Sequence, residues 1–150
     1  MTGDCWICRI ARNGGAAAHI VYEDDRLIAF LDRGPIRSGH TQIVSKEHFP
    51  YFDDAPAEVV SSIVLLGQKL AVVMKQLYRV PRVAFLFTGG DIAHVHAHVV
   101  PMVEKTDITS RRYIAEERLT FQSLPCPPEN EMAETAAALR EALAVNRKIL

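Results

Sequence analysis

Three histidines alternate with apolar residues in His94-Val95-His96-Ala97-His98-Val99-Val100, and Pro101 closes the run. A β-strand sends successive side chains to opposite faces. As a strand, this segment projects His94, His96 and His98 from one side and Val95, Ala97 and Val99 from the other, where a core can cover them. Three imidazoles on one surface suit nucleophilic catalysis, acid–base catalysis or metal binding. Histidine as the polar filler of a half-exposed strand explains one such residue well and two poorly. A tri-histidine metal site is another alternative. Same-face neighbours on a strand lie roughly 6–7 Å apart, so a straight strand does not easily bring three nitrogens to about 2.0–2.1 Å from one zinc. The strand is therefore expected to divide its histidines between tasks.

Cys5-Trp6-Ile7-Cys8 is a second chemical feature. Thiolates at this spacing can chelate one zinc in a turn, and redox pairs share the spacing. A redox pair of this kind usually opens a helix after a strand, and no strand is read before Cys5. Two small buried thiols without a metal are the remaining alternative. Zinc needs two further ligands, and His48, His94, His40 and His19 are the imidazoles available. Asp32 follows a buried strand, where a carboxylate either accepts from sugar hydroxyls or starts the Arg33-Gly34-Pro35 turn. Arg111 and Arg112 offer a phosphate contact or a solvated charged face. Asp91 reads as a turn residue.

The elements that must position these groups are legible in outline. Ile20–Glu23 and Leu27–Leu31 read as strands around an Asp24-Asp25-Arg26 turn. A third strand runs from His40 to Val44. Glu58–Tyr78 is the clearest helix, with Val59, Ile63, Leu66, Leu70, Val73 and Leu77 on one stripe. Asp53 or Asp54 is expected to cap it, with Pro56 in its first turn and Val80-Pro81 ending it. Val83–Phe87 is a fourth strand. The tight turn Thr88-Gly89-Gly90-Asp91 leads to the histidine strand, about Ala93–Met102, as its antiparallel neighbour. Asp107–Glu117 is ambiguous. Glu129–Leu150 reads as a terminal helix with Met132, Ala136, Leu139 and Leu143 on one side. The sum is an antiparallel meander with one long crossover helix, an α+β arrangement.

At 150 residues and 49% hydrophobic, the chain has the size and apolar content of one ordinary domain. A net charge of −1 gives no electrostatic case for duplex nucleic acid or an anionic membrane. No stretch is read as reaching the roughly 20 apolar residues of a membrane span. Met1-Thr2-Gly3-Asp4 lacks the pattern of a secretory signal. Three cysteines are no disulfide framework, and a cytoplasmic protein is expected.

The run His94-Val95-His96-Ala97-His98-Val99-Val100 resembles the signature of the histidine triad (HIT) family. Cys5-Trp6-Ile7-Cys8-Arg9-Ile10, the hairpin ending Phe30-Leu31-Asp32, and Gly39-His40-Thr41 through Lys46-Glu47-His48 follow in that family's order and approximate spacing. The likeness covers roughly Asp4 to Met102. It implies an α+β HIT-like fold, with an antiparallel sheet of about five strands, one long crossover helix and a C-terminal helix. The HIT-like domain is expected over residues 1–125, with a helical extension over 126–150.

The likeness also implies a homodimer and a nucleotide substrate. His96 is the implied nucleophile toward the α-phosphorus, forming a nucleotidyl-histidine that water hydrolyses. His98 holds phosphate oxygens and His40 completes the polar end of the site. Asp32 binds ribose hydroxyls, and Trp6, Ile7, Ile10 and Phe30 form the base slot. The implied metal is a structural zinc on Cys5, Cys8, His48 and His94, and no organic cofactor is implied. Candidate substrates are phosphoramidates, dinucleoside polyphosphates and nucleotidyl adducts. The loop before the triad is shorter than the family's. There Thr88 takes the place of an amide side chain, and Asp91 puts a carboxylate where a neutral donor is usual. Gln42 and Ser45 stand where the family usually has an apolar residue and a proline. The altered loop keeps a binding protein with vestigial catalysis as an alternative. Nucleotidyl transfer is another, although that branch usually has proline and glutamine where Val95 and His98 stand.

Overall fold

A computed structural model describes residues 5–12, 18–89, 92–108 and 124–146. The elements are α1 (Trp6–Arg12), β1 (Ile20–Glu23), β2 (Leu27–Leu31), β3 (Thr41–Ser45), α2 (Ala57–Tyr78), β4 (Arg82–Phe87), β5 (His96–Met102) and α3 (Glu129–Asn146). The first hairpin turns on Asp24. Its Oδ1 accepts the backbone N–H groups of Arg26 and Leu27 at 2.8 and 2.7 Å. The five strands form one sheet in the order β1-β2-β3-β5-β4, every neighbour antiparallel. The architecture is α+β, as the pattern of the sequence predicts.

Strand alternation divides the molecule. Leu27, Ala29, Leu31, Ile43, Val95, Ala97 and Val99 face α2 and α3 in the main core. Ile28, Phe30 and Val44 face the other way, where Ile7 and Ile10 of α1 cover them. The histidines lie on this second face. Two rows of registered residues cross it. One runs Phe30, Gln42, His98 and Leu86, and the other runs Ile28, Val44 and His96.

Helix α2 buries Ile63, Leu66, Leu70, Val73 and Met74 against the sheet. Gly67 sits in that contact because the Phe85 ring leaves no room for a side chain: a Cβ there would lie 2.2 Å from it. Several expectations are corrected. Leu77 leaves the stripe and is exposed, because the buried face turns to Met74 instead. Pro56 is the N-cap, and neither Asp53 nor Asp54 caps the helix; the Pro56 carbonyl receives the Val59 and Val60 N–H groups directly. Helix α2 is also long and apolar enough to cross a membrane by length and composition, with 22 residues and a mean hydropathy of 1.6. Its buried face makes it a core helix of this fold.

Cys8 lies in helix α1 rather than a turn, and β5 begins at His96, with His94 and Val95 just before it. Helix α3 places Met132, Ala136 and Leu139 in the main core. Residues 147–150, most of 107–117 and Gly90-Asp91 lie outside the described residues.

Candidate active site and metal centre

The backbone partners of the histidines fix which ring nitrogen carries each proton. His94 Nε2 lies 2.8 Å from the Ser45 carbonyl, so Nε2 donates and Nδ1 keeps its lone pair. That lone pair faces Cys5 Sγ at 3.4 Å, Cys8 Sγ at 3.5 Å and His48 Nδ1 at 3.1 Å. Cys8 Sγ is 3.3 Å from His48 Nδ1. All four ligand atoms lie within 4.8 Å of one another. A tetrahedral zinc with bonds of about 2.0–2.3 Å requires ligand separations of roughly 3.3–3.8 Å, close to those found. Two thiols and two imidazoles fit such an ion and leave no open position. Helix α1 supplies Cys8, Cys5 flanks its start, and the strand-flanking segments after β3 and before β5 supply the two histidines.

The remaining histidines form a separate chain of hydrogen bonds. His40 Nδ1 accepts the Ile36 N–H at 3.2 Å, so its Nε2 donates to His98 Nδ1 at 2.9 Å. His98 Nε2 then donates to Thr88 Oγ1 at 3.1 Å. The Thr88 hydroxyl donates to His96 Nε2 at 3.0 Å. His96 Nδ1 donates to the His94 carbonyl at 2.6 Å. The Ile36 N–H and the His94 carbonyl anchor the two ends, and only one direction of donation satisfies both. The His96 lone pair at Nε2 therefore points at the Thr88 hydroxyl, which a phosphoryl group must displace to reach it.

Burial drives the electrostatics. It pushes the His98 imidazole down to about 4, helped by His40 and His96. It also lowers His40 and His94, against Asp32 and the Ser45 carbonyl respectively. These three rings are neutral at pH 7, as the chain of hydrogen bonds requires. Asp32, His40 and His98 also cluster closely enough to suggest a metal. The Ile36 N–H argues against it, because it leaves the proton, not a lone pair, on His40 Nε2.

His40 is positioned from below. Gly39 has φ +86°, and a Cβ there would lie 2.4 Å from Tyr78 Oη, so the turn closes against the tyrosine only with glycine. Asp32 lies beside His40, with Oδ2 3.9 Å from His40 Nε2. Its Oδ1 accepts the Gly34 N–H at 2.8 Å and its Oδ2 accepts the Gln42 amide at 2.6 Å. Trp6 packs edge-on to Phe30 at 5.9 Å. Ile10 and Phe30 join the same cluster; Ile7 is fully buried and backs it. Asp91, Arg111 and Arg112 lie outside the described residues. The contact that sequence reasoning did not assign is Gln42 on Asp32. Its only signal was a polar residue at a strand position otherwise apolar.

The HIT domain model matches residues 13–105. An uncharacterised HIT-like protein of Methanocaldococcus jannaschii is 35% identical over 104 residues, 67% of this chain and 80% of that one. The chain belongs to the histidine triad (HIT) family. A zinc-bound histidine triad family protein of Mycobacterium smegmatis has a similar crystal structure, with TM-score 0.76 and 26% identity over 100% of both chains. An adenylylsulfatase of Arabidopsis thaliana is 27% identical over 110 residues, 70% of this chain and 55% of that one.

Proposed function

We propose that this chain hydrolyses nucleotide conjugates at the α-phosphate through a covalent nucleotidyl-histidine on His96. The observation that carries this is the His96 Nδ1 bond to the His94 carbonyl at 2.6 Å, which leaves Nε2 as an aimed nucleophile. In the first step the Nε2 lone pair forms a bond to the α-phosphorus, and the bond to the leaving group breaks. The imidazolium that results keeps its Nδ1 proton on the carbonyl, whose partial negative charge stabilises it. The N–H of His98 and the hydroxyl of Thr88 donate to the phosphoryl oxygens as charge builds there. The leaving group takes its proton from solvent, while neutral His98 keeps its N–H as a hydrogen-bond donor. Water then attacks phosphorus, gives up its proton to solvent, the P–N bond breaks, and a nucleoside monophosphate leaves with the His96 lone pair restored.

Asp32 receives the ribose hydroxyls, and Trp6, Ile10 and Phe30 receive the base. Cys5, Cys8, His48 and His94 hold a structural zinc. Through these four residues a zinc would tie α1 to the segment just before β5, which carries the His94 carbonyl on which His96 rests. Apolar Val64, Leu65 and Val72 on the outer side of α2, together with edge strand β4, offer the surface of a homodimer. A cytoplasmic setting suits the three free thiols.

The test is release of nucleoside monophosphate from a phosphoramidate, a dinucleoside polyphosphate and a nucleotidyl sulfate. The expected result is turnover of at least one, lost by at least about a thousandfold in His96→Ala with the melting temperature kept. Equal turnover in the variant rejects His96 as nucleophile.

A further inference from the structure

We propose that Gln42 is a positioning residue that sets sugar selectivity: its amide holds the Asp32 carboxylate toward a ribose diol and away from the histidines. The inference rests on the nucleotide reading above and deepens it.

Gln42 is 7% exposed and sits on the site face, in register between Phe30 on β2 and His98 on β5. A sugar joining a base held beside the Trp6–Phe30 cluster to a phosphate on His98 must pass over this position. Its Nε2 donates to Asp32 Oδ2 at 2.6 Å, while its Oε1 is buried with no hydrogen-bond partner among the described residues. A leucine here would fill the strand without burying an unpaired oxygen, so the amide carries a cost that its bond to Asp32 must offset.

Two N–H groups compete for Asp32 Oδ2. One is the Gln42 amide at 2.6 Å, and the other is His40 Nε2 at 3.9 Å. With Gln42 in place, His40 gives its proton to His98 instead. Without Gln42, the nearest donor to Oδ2 is His40. The carboxylate then turns to the imidazole, and both the sugar anchor and the His40–His98 bond are disturbed. A neutral amide holds the carboxylate without cancelling its charge. Each carboxylate oxygen keeps a further lone pair, and a vicinal diol supplies two O–H donors to meet them.

The test is calorimetric binding of adenosine monophosphate, its 2′-deoxy form and its 3′-deoxy form to wild type, Gln42→Leu and Gln42→Asn, with melting curves as the check on folding. The wild type is expected to bind the ribonucleotide at least about tenfold more tightly than either deoxy form, the worth of one good hydrogen bond. In Gln42→Leu the preference falls to within about threefold, chiefly by weaker binding of the ribonucleotide. Gln42→Asn retains an amide one methylene too short to reach Asp32, and is expected to lose selectivity equally; it carries the test should the leucine variant not fold. A wild type without sugar preference, or variants that keep it, overturn the proposal. A selective wild type that turns over no conjugate overturns the hydrolase reading alone.

Discussion

The neutral, buried state of His98 has a thermodynamic consequence that acid titration of stability can measure. Its ring sits at about 4 in the folded protein, from an ordinary 6.5, because burial and two neighbouring imidazoles disfavour the charged form. The unfolded chain therefore takes up a proton near pH 6.5 that the folded chain refuses until about pH 4. The stability associated with neutral His98 is complete above pH 6.5 and is lost as pH falls toward 4. A displacement of this size corresponds to about 3 kcal/mol at full value. The ring is only half-buried, and solvent screening reduces this to about 1.5–2 kcal/mol. For a domain of this length that is a fall in melting temperature of about 5 °C. Urea denaturation of wild type and His98→Gln between pH 7 and 4.5 measures it. Loss of metal affects both proteins, so the difference between the two curves reports His98 together with the imidazoles it touches. The gap is expected to shrink as pH falls, because the wild type loses what the variant never had. Parallel curves would refute the reasoning.

Cys8→Ser is expected to lose one equivalent of zinc by metal analysis and to melt lower, whereas His96→Ala keeps the metal, because the two histidines face separate clusters. Leu70→Ala opens the fully buried interface between α2 and the sheet, and a loss of about 2–5 kcal/mol is expected in denaturation, with activity per folded molecule kept. Thr88→Val removes the hydroxyl between His96 and His98; a fall in kcat/KM of about tenfold or more is expected, with no change in melting temperature. Arg37→Ala breaks two hydrogen bonds to the largely enclosed Asp107 carboxylate, and a small fall in melting temperature is expected.

Much of the fold is legible because it depends on local periodicity. The hairpin about Asp24, the stripe of α2 and the alternation of His96, Ala97, His98 and Val99 each follow from spacing of two or of three to four residues. Helix α1 is not legible this way, since its seven residues complete barely two turns and its burial depends on Phe30 and Val44 of other strands. Leu77 fits the stripe in sequence, yet the buried face of the helix passes through Met74 and leaves Leu77 exposed. For the site, residue types point to imidazole and thiol chemistry. Their division does not follow from spacing. It depends on which backbone group each ring meets: the Ser45 carbonyl leaves His94 a lone pair for metal, while the Ile36 N–H leaves His40 a proton. Gln42 is harder still to read, since its role depends on Asp32, ten residues away and brought alongside only by strand pairing.

The most direct test is to incubate the protein with a nucleotide conjugate, quench, measure intact mass and map any adduct by fragmentation. A gain equal to one nucleoside monophosphate less one water, located on His96 and absent from His96→Ala, is the expected result. Turnover with no adduct at any quench time, or an adduct on His40 or His98, contradicts the assignment of His96 as the nucleophile.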